Sequence, residues 1–318
     1  MTPGAAQQRG AARQQGDREE LERDATVGSV DLTRWPSRPG RAAARRVSVA
    51  SRRIGTRAAL LITLAIGAIV ALALSFVASQ VYDSVIESDG IAGFDQPILQ
   101  AAIEARSPVL DVIVTGYTDI AGPIGMPIIA VAAILILSLR RRSWTPAILI
   151  AAAGLGSLAM TIAGKDVIGR VRPPLPEAVP PYEYSASFPS GHTLNAVAVV
   201  GTIAYLLVLR QTSTVARSLT IGGAAFFALT IGLSRVFLGH HWFTDVVAAW
   251  LLGAAWLALV ITAHRLYITA RRTRDPEQIK GRPCPRNRNP ITARGCPSTP
   301  TRTSSPGCRP NWSPCSSG

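Results

Sequence analysis

A bundle of six membrane-spanning helices, all-α, with disordered arms at both ends, is the fold this sequence predicts. Three observations predict it. Only 16% of the 318 residues are charged and 48% are hydrophobic, whereas water-soluble domains carry about 25% charged residues. The apolar residues are clumped into runs of about 17–24 residues, the length that crosses a hydrocarbon core. The arginines gather in the arms and in alternate loops. A formal charge of +14 admits nucleic-acid binding as one reading, but its distribution fits topology better and argues against a nucleic-acid partner, because Lys and Arg accumulate on the cytoplasmic side of spans.

Residues 1–57 are polar, rich in Arg, Gln and Gly, and lack apolar periodicity, so they read as a disordered basic arm. After Asp31 no acid precedes the first span, yet Arg38, Arg41, Arg45, Arg46, Arg52, Arg53 and Arg57 do. Such a stretch stays in the cytosol, where it meets anionic lipid. The first apolar run is Ala58–Val81. Its "VAS" resembles a signal cleavage site, but the run exceeds the roughly 7–15-residue core of a signal peptide and reads as an uncleaved span. Residues 82–108 are more polar; "GFDQPILQAAIEAR" within them is a short amphipathic stretch expected at the membrane surface.

The second span is expected at Ile120–Leu139, ended by Arg140, Arg141 and Arg142, and the third at Thr145–Ala163. The fourth covers Thr193–Leu209, the fifth Ala216–Leu233 and the sixth Val246–Ala263. The membrane domain is thus 58–265, followed by a basic tail, 266–318. From Gly281 onward the tail is Pro, Ser, Thr, Arg and Cys, which cannot bury a core and reads as disordered. All four cysteines lie there (Cys284, Cys296, Cys308, Cys315); their intervals match no CxxC metal pattern, and no function is assigned to them.

Six spans put both termini on one side. The N-terminal arginines, the 140–142 cluster, Arg210, Arg217, Arg265, Arg271, Arg272 and Arg274 then share that side, which the positive-inside trend makes cytoplasmic. Three polar clusters, far apart in sequence, arrive at the opposite face. The first is "GKDVIGRVRPP", with Lys165, Arg170 and Arg172. Basic residues beside a span can simply meet headgroups. Cations on the side the trend disfavours call for a bound anion, however: the Arg fork suits phosphate oxygens and Lys adds a point charge. Pro173 and Pro174 turn the chain.

The second cluster, "PSGH", opens span four. Helix starts present unpaired N–H groups, and Ser190–Gly191 lets an anion approach them closely; Ser190 as a simple N-cap and His192 as an interfacial histidine is the plainer alternative. In the third, "SRVFLGHHWFTD", His241 and Asp245 are four apart and share a helix face, so Asp245 can accept the Nδ1–H of His241 and leave Nε2 as nucleophile. Arg235 is a third anion ligand. His240 lacks the Asp spacing and is read as a supporting or exposed residue; His264, at the cytoplasmic end of span six, as a helix cap or headgroup contact. Together the clusters supply what phosphoryl transfer needs without a metal: neutralising cations, a nucleophile and an acid for the leaving oxygen. No Asp/Glu group suited to Mg²⁺ is evident on the outer side, and neither a metal nor another cofactor is expected.

These residues resemble the three-part signature of the type 2 phosphatidic acid phosphatase (PAP2) superfamily. K-x6-RP matches Lys165 to Pro173, PSGH matches Pro189 to His192, and SR-x5-H-x3-D matches Ser234, Arg235, His241 and Asp245, in order. The resemblance covers residues 58–265. It implies a six-helix core with its site at the non-cytoplasmic face, and metal-independent hydrolysis through a phosphohistidine. It further implies that His241 attacks phosphorus, Asp245 orients it and His192 protonates the leaving oxygen, while Lys165, Arg172, Arg235, Ser190 and Gly191 hold the phosphate. Members of the family often carry a small or apolar residue at the place of His240 and an aromatic–Pro pair at that of Trp242–Phe243, which leaves the substrate subclass open.

The expected protein is an integral-membrane lipid phosphatase of a bacterial plasma membrane. Its partners would be membrane lipids and a lipid phosphate: a polyprenyl pyrophosphate such as undecaprenyl pyrophosphate, or phosphatidic acid or phosphatidylglycerol phosphate. A homo-oligomer is compatible with this. Two other readings share some of the features. A vanadium haloperoxidase-like enzyme shares the pocket logic but is soluble. A transporter or silent lipid-binding scaffold shares the spans, but would carry ionisable groups mid-membrane or lack the His–Asp pair.

Overall fold

The computed structural model describes residues 22–55, 58–67, 69 and 91–274. The chain there is mainly helical, with one small hairpin and a largely irregular segment, 169–190. Helix α1 is Arg38–Ile54 and α2 is Ala58–Gly67. They are followed by α3 (Asp95–Glu104), α4 (Pro108–Asp119), α5 (Gly125–Arg141) and α6 (Thr145–Ile168). Helix α7 runs Gly191–Val208 with a π-helical stretch at Ala196–Val200. Helices α8 (Thr214–Phe237) and α9 (Phe243–Arg274) complete the chain.

Four of these helices are long and apolar enough to cross a membrane: Thr145–Ile168, Gly191–Val208, Thr214–Phe237 and Phe243–Arg272. They correspond to the third to sixth expected spans; three of them are longer than expected, and α7 runs Gly191–Val208 in place of the expected Thr193–Leu209. The second expected span is the 17-residue α5, which starts at Gly125 rather than Ile120 because Ile120–Ile124 form a break after α4. The first is helical over Ala58–Gly67, with Ala59, Leu60 and Leu64 buried; residues 68 and 70–90 lie outside the described residues. Helix α9, at about 48 Å for its 32 residues, exceeds a hydrocarbon core of about 30 Å.

The helices pack through small residues, as they must where apolar surface itself supplies no drive to associate. A methyl group on Gly156 would lie 2.3 Å from the Trp256 ring, and one on Gly164 would lie 2.4 Å from Cδ of Pro189. The second contact matters most, because it seats the "PSGH" segment against the last turn of α6.

The expected disorder of 1–57 does not hold for residues 22–55. Thr26–Val27 and Val30–Asp31 form an antiparallel hairpin, and α1 starts at a Ser37 cap with Pro39 in its first turn and packs on α9. Contacts distant in sequence fix this arm. Asp24 is buried beside Arg141 and Arg210 at 3.6 and 3.2 Å. Arg265 donates to the Leu32 carbonyl at 2.9 Å and lies 4.5 Å over Trp35, whose Nε1 donates to Thr269. Polar and cation–π anchors of this kind leave no apolar period to read. The tail is corrected likewise: 266–274 continue α9 as helix, while 275–318 and 1–21 lie outside the described residues. His264 is neither cap nor headgroup contact. It is buried, with Nδ1 2.9 Å from the Tyr205 hydroxyl.

Candidate active site

The third sequence cluster forms the turn between α8 and α9. Helix α8 ends at Phe237, and Gly239 reverses the chain with φ 71°. A side chain is excluded there twice over, since a Cβ would also sit 2.5 Å from the Glu177 carbonyl. The turn brings the N–H groups of His240 and His241 back onto the Arg235 carbonyl at 3.0 and 3.3 Å. His241 therefore precedes α9 instead of sharing a helix face with Asp245, which lies in the first turn.

Both residues are buried, and Nδ1 of His241 lies 3.6 Å from Oδ2 of Asp245. That separation sets the carboxylate against the ring but is too long for the expected direct hydrogen bond. Ser187 intervenes: its hydroxyl donates to Oδ2 of Asp245 and lies 3.5 Å from Nδ1 of His241. The Trp242 N–H also donates to Oδ2, at 3.1 Å. The other carboxylate oxygen is ion-paired to Arg170. Arg170 in turn reaches Oδ2 of Asp95 at 2.7 Å, and Asp95 caps the start of α9 by accepting from the Thr244 N–H at 2.8 Å.

The first cluster closes over the imidazole. Arg172 stands with Nη1 3.2 Å from Nε2 of His241, and the same guanidinium binds the carbonyls of His240 and Ser185. Lys165, expected beyond the span, occupies the last turn of α6. Its ammonium donates to Oγ of Ser185 at 2.8 Å and to the Ala186 carbonyl. Arg235 is 2% exposed, and its Nε has no hydrogen-bond partner among the described residues. Between Arg172 and Arg235 lies one carboxylate, Glu183: Oε2 is 2.8 Å from Arg172, and Oε1 is ion-paired to Arg235.

The second cluster supplies the floor. Ser190 is buried at the N-cap of α7, where its Oγ accepts from Thr193 rather than capping the helix. Gly191 passes so close to α6 that a Cβ would meet Thr161 Cγ2 at 3.1 Å. His192 is half-buried, with Nε2 3.1 Å from where a Cβ on Gly122 would stand. His240 is buried, not exposed: its Nε2 donates to the Val179 carbonyl at 2.7 Å, tying the turn to the loop above it.

These surroundings set protonation. Burial, then Arg172 and Arg235, hold the His241 pKa well below the ordinary 6.5, so its imidazole is neutral near pH 7. Burial and Arg235 bring His240 down to about 4. For Glu183 burial opposes the charge, but Arg235 and Arg172 together outweigh it and bring the carboxyl down to about 2. From sequence, Ser187, Asp95 and Glu183 carry no role, and Arg170 stands only as a member of the first basic cluster. The available signal was position: Arg170 and Ser187 each stand two residues before a motif residue, Arg172 and Pro189.

A helical membrane protein with a cluster of cations and histidines at one end of its long helices is the class that fold and geometry define. The sequence profile of the PAP2 superfamily matches residues 144–268. Phosphatidylglycerophosphatase B of Bacillus subtilis (strain 168) is 32% identical over 177 residues, covering 55% of this chain and 85% of that protein. The chain belongs to the PAP2 superfamily. Among solved structures it resembles the "first transmembrane PAP2 type phosphatidylglycerolphosphate phosphatase from Bacillus subtilis", with a TM-score of 0.54 and 29% identity, over 59% of this chain and 93% of that one. Family membership makes the protein a phosphatase, and its apolar helices make it a membrane protein.

Proposed function

We propose that the protein hydrolyses a lipid phosphate at the outer face of a bacterial plasma membrane, through a phosphohistidine and without a metal. The observation that carries this is the meeting of Arg172, Arg235 and Lys165 beside a neutral His241 backed by Asp245. The phosphate oxygens replace the Glu183 carboxylate on Arg172 and Arg235, with Lys165 and the Ser190–Gly191 helix start adding positive potential. Nε2 of His241 attacks phosphorus, and the bond from phosphorus to the lipid oxygen breaks. Asp245 stabilises the positive charge that develops on the ring. His192 delivers a proton to the leaving oxygen, then takes one from the water that cleaves the N–P bond, and orthophosphate leaves.

Phosphatidylglycerol phosphate is the substrate favoured by the name of the Bacillus enzyme that is both the curated relative and the solved structure; phosphatidic acid and polyprenyl pyrophosphate meet the same chemistry. We assign six spans with both termini cytoplasmic. The charge asymmetry of the sequence supports this, as does the position of Lys165 and Arg235 at the C-terminal ends of α6 and α8, beside the N-terminal ends of α7 and α9. The test is phosphate release from a panel of these lipids by the detergent-purified protein in EDTA. Turnover should persist, and His241→Ala should lose on the order of 10⁴-fold or more. Dependence on added Mg²⁺, or a His241→Ala variant of near-normal activity, refutes the mechanism. Labelling of Tyr184→Cys by a membrane-impermeant thiol reagent on intact cells, in a chain whose four tail cysteines are replaced by serine, checks the orientation; protection until lysis would reverse it.

A further inference from the structure

We propose that Glu183 is a tethered competitor of the substrate phosphate: its carboxylate occupies the Arg172–Arg235 cradle and must be displaced for substrate to bind. The inference rests on reading that cradle as a phosphate site. Its two oxygens are divided between the two arginines, Oε1 to Arg235 and Oε2 to Arg172, as two oxygens of a phosphate would be. The side chain is 29% exposed, whereas those of Arg235 and Arg172 are 2% and 9% exposed. The anion therefore enters from the solvent side onto cations that are already buried.

The segment that carries Glu183 is pinned at both ends. Val179 donates its N–H to Leu238 and accepts from His240, and the Ser187 N–H donates to the Arg170 carbonyl. Between these anchors Tyr182 and Tyr184 are exposed, and Glu183 turns inward. Buried cations need a counter-charge, and Glu183 supplies one in their own loop cluster. It stays ionised throughout the working range, because the two arginines hold its carboxyl down to about 2 against the opposing effect of burial. A dianionic phosphate brings more charge to the same donors and wins, but only against this standing competition. The outward swing of Glu183 then opens the site, and its return helps expel orthophosphate.

A charge-assisted contact of this kind corresponds to a factor of about 10 to 100 in an equilibrium constant. The experiment is inorganic phosphate binding to the full detergent-purified chain, by calorimetry and by inhibition of turnover. Glu183→Gln keeps the shape and removes the charge, and should bind phosphate about 10- to 100-fold more tightly than the parent. The substrate KM falls with it. Glu183→Asp, one methylene shorter, gives an intermediate gain and keeps the test decisive should the amide variant not fold. Equal or weaker phosphate binding by both folded variants overturns the proposal while leaving the phosphatase reading intact. No phosphate binding by parent or variants overturns the cradle itself, and the proposal with it.

Discussion

Asp245→Asn isolates the electrostatic part of the site with the least change of shape. The carboxylate is fully buried and lies 3.6 Å from Nδ1 of His241. At an effective dielectric of about 20, one charge acting on the developing imidazolium at that distance amounts to roughly 4–5 kcal/mol, or a factor on the order of 10³ in rate. The amide also cannot serve all its partners. With its oxygen toward Arg170, its NH₂ faces the Trp242 N–H, the Ser187 hydroxyl and Nδ1 of His241. A donor there favours the tautomer with the proton on Nε2, which cannot attack. The other orientation sets an NH₂ against the Arg170 guanidinium. We therefore expect kcat to fall by about 10³- to 10⁴-fold with KM little changed, measured as initial phosphate release from lipid micelles. Retained inorganic phosphate binding serves as the check that the cradle is intact. A loss below tenfold in a variant that still binds phosphate would refute the role given to Asp245.

Two further outcomes follow from the same geometry. Because His241 acts neutral and its pKa is held well below 6.5, activity falls only as pH drops through that lowered value. The acid limb of kcat/KM attributable to it thus lies below the ordinary histidine range, and a limb centred at 6.5–7 contradicts the assignment. Arg170→Met leaves Asp95 and Asp245 buried without the cation between them. It should cost about 3–5 kcal/mol of stability in unfolding from mixed micelles, with Arg170→Lys recovering part of that but unable to fork to both carboxylates. A loss under about 1 kcal/mol for the Met variant would show that the bridge carries little.

What the sequence made legible was what is local in it. Spans three to six stand as continuous apolar runs, and the motif residues stand at fixed short spacings, so these helices and the residues that meet between them could be read directly. The partners of those residues could not. Arg170 and Asp245 are 75 residues apart, and Asp95 reaches Thr244 across 149; pairings of that separation exist only once α3, α6 and α9 are packed. The ordered stretch of the N-terminal arm escaped for the same reason, since Asp24, Leu32 and Trp35 are held by Arg141, Arg210 and Arg265.

The basic excess at this end of the bundle had invited a simple reading as an anion trap. The structure balances it more closely. Arg170 is committed to two carboxylates that orient the histidine turn, so it is not available as a phosphate ligand although it stands between Lys165 and Arg172 in the motif. Arg172 and Arg235 share a single carboxylate on a loop whose neighbouring tyrosines are exposed. On the proposed reading, the site separates a fixed ion-pair network around Arg170, which sets the direction of His241, from an exchangeable one around Arg172 and Arg235, which would hold whichever anion enters. Only the second could then turn over without disturbing the proposed nucleophile.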